Sequence, residues 1–244
     1  MNSWNFHVGS HNRHYEGAYG EQEIRWRAVC AEDKAENIKN AILSSGSIIS
    51  SVLEVGCGTG SVLGSVRRRG VGVNHVGIDV ADPHAHVDSN LNTENIILQV
   101  YDGVKIPYSN SSFDLVFATH VLEHVQDERG FLFELKRVSR KYVYVEVPCE
   151  INIRTSVQRL QTTLNIGHIN AYTPETFALT IETSGLRIKE IFIRDHSWKI
   201  HSFYGRKIPS FLKMMTRRAA LSFSPRFATK MFCYHVGALC ELEH

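Results

Sequence analysis

Ser51-Val52-Leu53-Glu54-Val55-Gly56-Cys57-Gly58-Thr59-Gly60 is a short run of strand-forming residues that breaks into alternating glycines. Val62, Leu63 and Val66 follow at helical spacing, and Gly70 closes that helix. Glycines at such a hand-over let the backbone turn sharply and approach a ligand closely, just where a helix N-terminus offers free N–H groups. The stretch therefore predicts a strand, a tight turn and a helix, with a binding edge at the turn. A dinucleotide fingerprint needs G-x-G-x-x-G, but Ser61 stands where its last glycine belongs, so the pattern is E-x-G-x-G-x-G. The difference counts against a nicotinamide or flavin dinucleotide.

The same texture continues on both sides. His75–Val80, Ile96–Val100 and Phe113–Ala118 read as further strands, and Tyr142–Val147 as a fifth, stopped by Pro148. Between them Asp127 can cap a helix whose apolar positions Phe131, Leu132, Leu135 and Val138 share one face. Thr173-Pro174-Glu175 starts another, with a capping hydroxyl, proline in the first turn and an acid at the positive dipole end, and it stops at Ser184-Gly185. Upstream, Glu21 to Ser45 is helical in pattern, and Gly46 stops it. Leu186–Asp195 and Cys233–Glu241 read as two last strands. Strands alternating with helices predict an α/β, doubly wound sheet covered on both faces, with ligands at the carboxyl ends of the strands. The expected division is a helical lead or cap over 1–45, one domain over 46–241 with an insertion at about 196–231, and a tag remnant at 242–244.

Two aspartates sharpen the site. Asp79 ends the second strand, where a carboxylate can accept from two ribose hydroxyls. Asp102 follows the third, where it can accept from an exocyclic amine. Either alone is more simply a loop cap or a solvated charge. With the glycine turn in register, the three elements together read a nucleoside.

On these residues the chain resembles the class I S-adenosylmethionine-dependent methyltransferases, in particular the small-molecule branch that includes ubiquinone-biosynthesis-type enzymes. Val52 to Gly60 matches the family's first motif, and Gly77-Ile78-Asp79 its second. Asp102 through Ile106-Pro107-Tyr108 to Ser112-Phe113-Asp114, ending Val121-Leu122-Glu123-His124-Val125, matches the third and fourth. The likeness covers about Ser51 to Pro148 and continues more weakly through Gly167-His168 to Gly185. It implies a Rossmann-like, seven-stranded mixed sheet with the last strand antiparallel, and S-adenosylmethionine as cofactor. By the same resemblance Glu54 orders the glycine loop, and Gly56, Gly58 and Gly60 lie against the methionine part. Asp79 holds the ribose with Val80 beside the adenine, Asp102 meets the adenine amine with Gly103 close by, and Thr119 lies near the sulfonium. One departure is the short stretch after Asp79, where the usual helix is expected to be reduced.

If the acceptor must lose a proton, a neutral imidazole suits the task. His120, His124 and His168 are the candidates. Leu-Glu-His-Val recurs in family members with unlike substrates, which points to His120 or His168 as the substrate-facing group and to a structural His124. Glu123 reads as a cap or packing residue. Cys149 follows the wrong strand for a nucleophile, and His84, His86 and Asp88 read as a solvated loop, so no metal site is expected.

Composition bounds the rest. Hydrophobic residues are 43% and charged residues 21% of 244, ordinary for a globular domain. Five cysteines without a C-x-x-C pair argue against a disulfide framework and for a reducing, cytoplasmic setting. No run of about 18 apolar residues is present, and the polar lead has no signal-peptide pattern. From His196 to Cys240 there is no acid, while Lys199, Arg206, Lys207, Lys213, Arg217, Arg218, Arg226 and Lys230 are interleaved with aromatics. The bland reading is an amphipathic helix packing Phe211, Leu212 and Met215 on the core. The functional reading is a cover for an anionic or lipid-like small-molecule acceptor, or a peripheral membrane contact. Nucleic acid is not the expected partner, and the chain is expected as a monomer or homodimer. The expected activity is methyl transfer to oxygen, nitrogen or carbon of a small molecule. Alternatives are an RNA methyltransferase, resting on the basic segment alone, and a non-catalytic module that binds S-adenosylmethionine. An oxidoreductase is disfavoured by Ser61 and by the lack of a second βαβ half after Pro148.

Overall fold

Alternate residues of β1 (Ser51–Val55) enter opposite cores, Val52 on one face of a sheet and Leu53 on the other, as a strand's two-residue period requires. The computed structural model describes Phe6, residues 20–86 and residues 95–242. Beside β1 lie β2 (Asn74–Asp79) and then β3 (Ile96–Val100) on one side, β4 (Phe113–Thr119) and then β5 (Ser139–Pro148) on the other. These five strands are mutually parallel. β6 (Arg187–Arg194) and β7 (His235–Glu241) complete the seven-stranded order β3-β2-β1-β4-β5-β7-β6, with β7 antiparallel to both of its neighbours. This is the doubly wound mixed sheet expected from the resemblance. Strand order reverses between β1 and β4, so the crevice lies at their carboxyl ends.

Central β4 is buried along its whole length, which explains its near-continuous apolar run. On one face α3 (Glu128–Val138) and α5 (Pro174–Thr183) cover the sheet. The α3 cap is the Asp127 side chain accepting from Gly130 N, and Phe131, Leu132, Leu135 and Val138 are its buried face. In α5, Thr173 and Thr176 form a reciprocal capping box ahead of the buried Phe177 and Ile181. On the other face α2 (Ser61–Arg68) and α1 (Glu21–Ser45) pack over Val52, Leu115 and Phe117. α1 ends at Gly46, in the left-handed region at φ 67. Ala35, Ile38, Ala41 and Ile42 pack α1 into this core. Glu32 ties it to α2 through Ser65, Arg68 and Arg69.

β5 begins at Ser139, earlier than its apolar run suggests, and Pro148 is its last residue, paired with His235. Proline is tolerated there because the strand end requires no further N–H. After β2 the described residues contain a 3₁₀ turn, Pro83–His86, and the rest of the stretch expected to carry a reduced helix lies outside them. Asp88 and the side chain of His86 lie outside the described residues, as do Glu243 and His244. Among the described residues no helix is long and apolar enough to cross a membrane.

The segment between β6 and β7 corrects one expectation. It forms α6 (Trp198–His201), α7 (Lys207–Phe223) and α8 (Pro225–Met231), while α4 (Val157–Leu164) precedes α5. The buried positions of α7 are Ser210, Met214 and Arg217. The Arg217 guanidinium lies 4.5 Å from the Tyr234 ring centroid and donates to Asp195 at 2.8 Å. Paired this way, an arginine can take an inward position. The predicted core stripe therefore faces out: Phe211 is 49%, Leu212 60% and Met215 48% exposed.

Gly56 sits at φ +79, and a Cβ there would stand 2.4 Å from Val121 Cγ2. Gly56→Ala is expected to destabilise the fold by at least about 1–2 kcal/mol, the cost of the left-handed backbone alone. Urea unfolding with an unchanged midpoint would contradict this account of the turn.

Candidate active site

The β1–α2 turn is built from backbone hydrogen bonds to the neighbouring strand. Gly56 N and Cys57 N both donate to Ile78 O, at 2.8 and 3.1 Å. Gly58 N donates to Asp79 Oδ2 at 2.7 Å, and Ala81 N to Oδ1 at 3.0 Å. Each Asp79 oxygen thus has one backbone donor and retains a lone pair for a further one. Gly60, also in the left-handed region, ends the turn at the α2 N-terminus. Fully buried Glu54 accepts from Leu63 N–H in the first turn of α2, and its Oε2 has no hydrogen-bond partner. Burial pushes this carboxyl well above its ordinary pKa, with Lys34 opposing the shift.

A cavity of about 790 Å³ opens over this turn, lined among others by Gly56, Gly58, Asp79, Val80, Tyr101, Gly103, Val104 and Val121. Val80 is half exposed, and a Cβ on Gly103 would lie 2.9 Å from it. Glycine at 103, with φ +77, keeps that space open. Asp102 departs from expectation. It is exposed and absent from the lining, and its Oδ1 accepts from Val104 N and Lys105 N, both at 2.8 Å. Those two bonds hold its carboxyl below the ordinary range. It caps the turn, and its neighbours Tyr101, Gly103 and Val104 form the wall.

A second cavity, of about 860 Å³, shares Arg27, Gly56, Gly58, His120 and His124 with the first. α1 supplies Trp26, Lys34 and Asn37, the β5 end Glu146 and Glu150, and the strands beyond contribute Arg194, Asp195, His196 and His235. Thr119 lines it with a buried hydroxyl that has no partner. Its ionisable lining comprises the carboxyls Glu23, Asp33, Glu54, Glu146, Glu150 and Asp195 and the basic Arg27, Lys34 and Arg194, with Asp195 already paired to Arg217. The basic residues of the 196–231 segment, Arg217 aside, point into solvent.

The expected histidines converge here. His120 follows β4 at φ +59, a left-handed conformation rare for a non-glycine residue, with its N–H on Glu146 O at 2.8 Å. Its Nε2 lies 2.9 Å from His235 Nδ1, and His235 Nε2 lies 3.1 Å from His196 Nε2. Burial, reinforced by Lys34 and the neighbouring imidazoles, pushes His120 well below the ordinary histidine pKa, so it is neutral. His168 Nδ1 contacts Glu150 Oε1 at 3.0 Å. Burial alone would lower His168, but the Glu150 hydrogen bond and the Glu123 and Glu150 charges outweigh it and raise its pKa. His124 Nδ1 is 2.9 Å from Gly167 O, and its ring meets His168 edge-on at 4.8 Å.

Several site residues were not among the sequence candidates. Glu123, read as a cap or packing residue, is fully buried between His120 and His168, both of its oxygens lack hydrogen-bond partners, and burial lifts its pKa to about 7. Glu146 was signalled by a carboxylate inside the otherwise uncharged run Tyr142–Val147. Lys34, Glu150, His196 and His235 carried no comparable signal.

A switch-point turn over a nucleoside-sized hollow that meets a second cavity is the architecture expected of a class I methyltransferase. Comparisons with known proteins place the chain more closely. The family model described as a methyltransferase domain matches residues 12–191. Ubiquinone biosynthesis O-methyltransferase, mitochondrial, of Schizosaccharomyces pombe is 30% identical over 169 residues, 63% of this chain and 57% of that protein. Norajmaline N-methyltransferase of Rauvolfia serpentina is 26% identical over 151 residues, 56% of this chain and 50% of that protein. The chain thus spans about half the length of these relatives. A solved S-adenosylmethionine-dependent methyltransferase from Aquifex aeolicus shares the fold at TM-score 0.53 and 14% identity, covering 87% of this chain and 98% of that one. The chain belongs to the S-adenosylmethionine-dependent methyltransferase family of class I.

Asp79→Ala should weaken binding of S-adenosylhomocysteine by about 10- to 100-fold, since hydrogen bonds to a charged acceptor are worth about 1.5–3 kcal/mol. Calorimetry giving an unchanged Kd would remove Asp79 from the cofactor site.

Proposed function

We propose that the chain transfers the methyl group of S-adenosylmethionine to an oxygen or nitrogen of a small molecule held in the second cavity. The observation that carries this reading is the meeting of the two cavities at Gly56, Gly58 and His120. The Gly56–Gly60 turn, Asp79, Val80 and Gly103 would hold the cofactor, and Thr119, whose buried hydroxyl lacks a partner, would face its reactive end. The cofactor supplies an already activated methyl carbon. The protein's part is to orient the acceptor in line and exclude water, worth on the order of 7–11 kcal/mol when alignment is good.

His168 is the best-supported base. Its Nδ1 is oriented by Glu150, an imidazole–carboxylate arrangement that leaves Nε2 to take the acceptor's proton. Bound there, the cofactor would give its methyl group to the acceptor atom and keep the bonding pair on sulfur, while His168 takes the acceptor's proton. The acid-rich lining favours a neutral or cationic acceptor over the anionic one expected from the basic segment. Five free thiols support a reducing, cytoplasmic setting. The non-catalytic alternative would retain cofactor binding without transfer.

A radiolabelled-methyl screen over neutral and amine acceptors tests the activity. Cofactor binding with no transfer to any pool would favour the non-catalytic module. His168→Asn should lower turnover by about 10²–10⁴-fold and leave cofactor affinity intact. The base must be neutral to act, so kcat/KM should rise with pH through a value above the ordinary 6.5 of histidine. Glu150→Gln removes the carboxylate that raises this pKa, so the acid limb should move to lower pH. A limb that stays in place would exclude the pair.

The outward stripe of α7 supports a peripheral contact with an anionic lipid surface. Ile208, Phe211, Leu212 and Met215 fall at i, i+3, i+4 and i+7, and exposed Lys207, Lys213 and Arg218 flank them. The preceding segment reaches the second cavity through Ile200 and Tyr204, so a lipophilic acceptor would enter beside the stripe. The chain should sediment with phosphatidylglycerol vesicles but not with phosphatidylcholine ones, and Phe211→Glu with Leu212→Glu should abolish this. Equal recovery of wild type and variant would remove the contact.

A further inference from the structure

We propose that His120, His235 and Glu146 form a binding site for one divalent transition-metal ion of the Zn²⁺ type in the wall of the second cavity. Their ligand-capable atoms converge: His120 Nε2 and His235 Nδ1 are 2.9 Å apart, and Glu146 Oε1 is 3.5 Å from His235 Nδ1 and 3.9 Å from His120 Nε2. A triangle with these sides has a single in-plane point about 2.0 Å from all three corners, the length of a zinc–nitrogen or zinc–carboxylate bond. Two imidazoles and one carboxylate are a ligand set for Zn²⁺ or Fe²⁺, not for Mg²⁺, and they leave coordination positions open.

Each ligand is also braced behind. Glu146 is 1% exposed, and its Oε2 accepts from Tyr144 Oη at 2.6 Å and Asn37 Nδ2 at 3.0 Å, leaving buried Oε1 without a hydrogen-bond partner. His235 Nε2 meets His196 Nε2 at 3.1 Å, and His120 Nδ1 faces Glu123 Oε1 at 3.5 Å. Such outer partners fix the orientation of metal ligands. His120 stands at φ +59, and its ring centroid lies 4.6 Å from that of His235.

A neighbouring group, Glu123, His124 and His168, also lies within reach of a single ion. It shares no residue with the first site, and the His124→Ala variant distinguishes the two. A role for the ion in holding an acceptor oxygen rests on the methyl-transfer reading. The site itself does not, and the test measures the ion alone.

The chelator-stripped full chain is titrated with Co²⁺, read by its visible ligand-field bands, and then with competing Zn²⁺. One equivalent should bind, and Zn²⁺ should displace it. His235→Ala and Glu146→Gln should each weaken binding by more than about 100-fold, because even outer partners of a ligand are worth about 10–100-fold. His124→Ala should bind as wild type does. If Glu146→Gln fails to fold, the half-buried His235→Ala, with its fold verified by circular dichroism, decides. Absence of a stoichiometric ion, unchanged binding in His235→Ala, or loss confined to His124→Ala would each overturn the proposal.

Discussion

The hydrogen bond from Gly58 N to the Asp79 carboxylate joins the two strand ends on which the rest of the site depends. It can form only because the turn after β1 passes through left-handed backbone at Gly56, Gly58 and Gly60, where side chains would be strained. With the turn held against β2, the donor hollow has a floor, and the β1–β4 crevice has a defined edge. Glu54 stitches the same turn to α2 from behind. Cofactor site and sheet topology are therefore one construction.

The second cavity depends on a different constraint, the insertion of β7 between β5 and β6. Because β7 runs antiparallel, its first residue, His235, lies at the carboxyl end of β5, opposite Pro148 and close to Glu146. A parallel last strand would have put His235 at the far edge of the sheet. α1 closes the other side with Lys34 and Asn37 and is held there by Ala35 and Ile38 in the core. The outcome is a chamber rich in carboxyls and imidazoles beside the hollow over the glycine turn, closed on one side by Ile200 and Tyr204.

Charge and hydrophobicity along 196–231 are thus separated by the packing of one residue. Arg217 is the charged residue among the three inward positions of α7, paired with Asp195 and stacked near Tyr234. Burying a charge is costly unless it is paired, and this pairing sets the rotation of the helix and leaves its apolar stripe outside.

The local alphabet of the chain determined most of the architecture. Strand runs, the glycine turn, the Asp127 and Thr173 caps and the Gly46 stop are each decided by residues within a few positions of one another, so they are legible without a fold. Asp79 could be read the same way, because a strand end and a motif place it. Asp102 could not, because whether a carboxylate caps its own turn or faces a ligand depends on backbone geometry two and three residues on. The convergence of His120, Glu146, His168, Glu150 and His235 was decided by tertiary structure alone. These residues come from different strands and loops, and only the order and direction of β4, β5 and β7 bring their side chains to one wall. The facing of α7 was likewise undecided by periodicity, since a helix with two plausible stripes is oriented by which one finds a partner in the core.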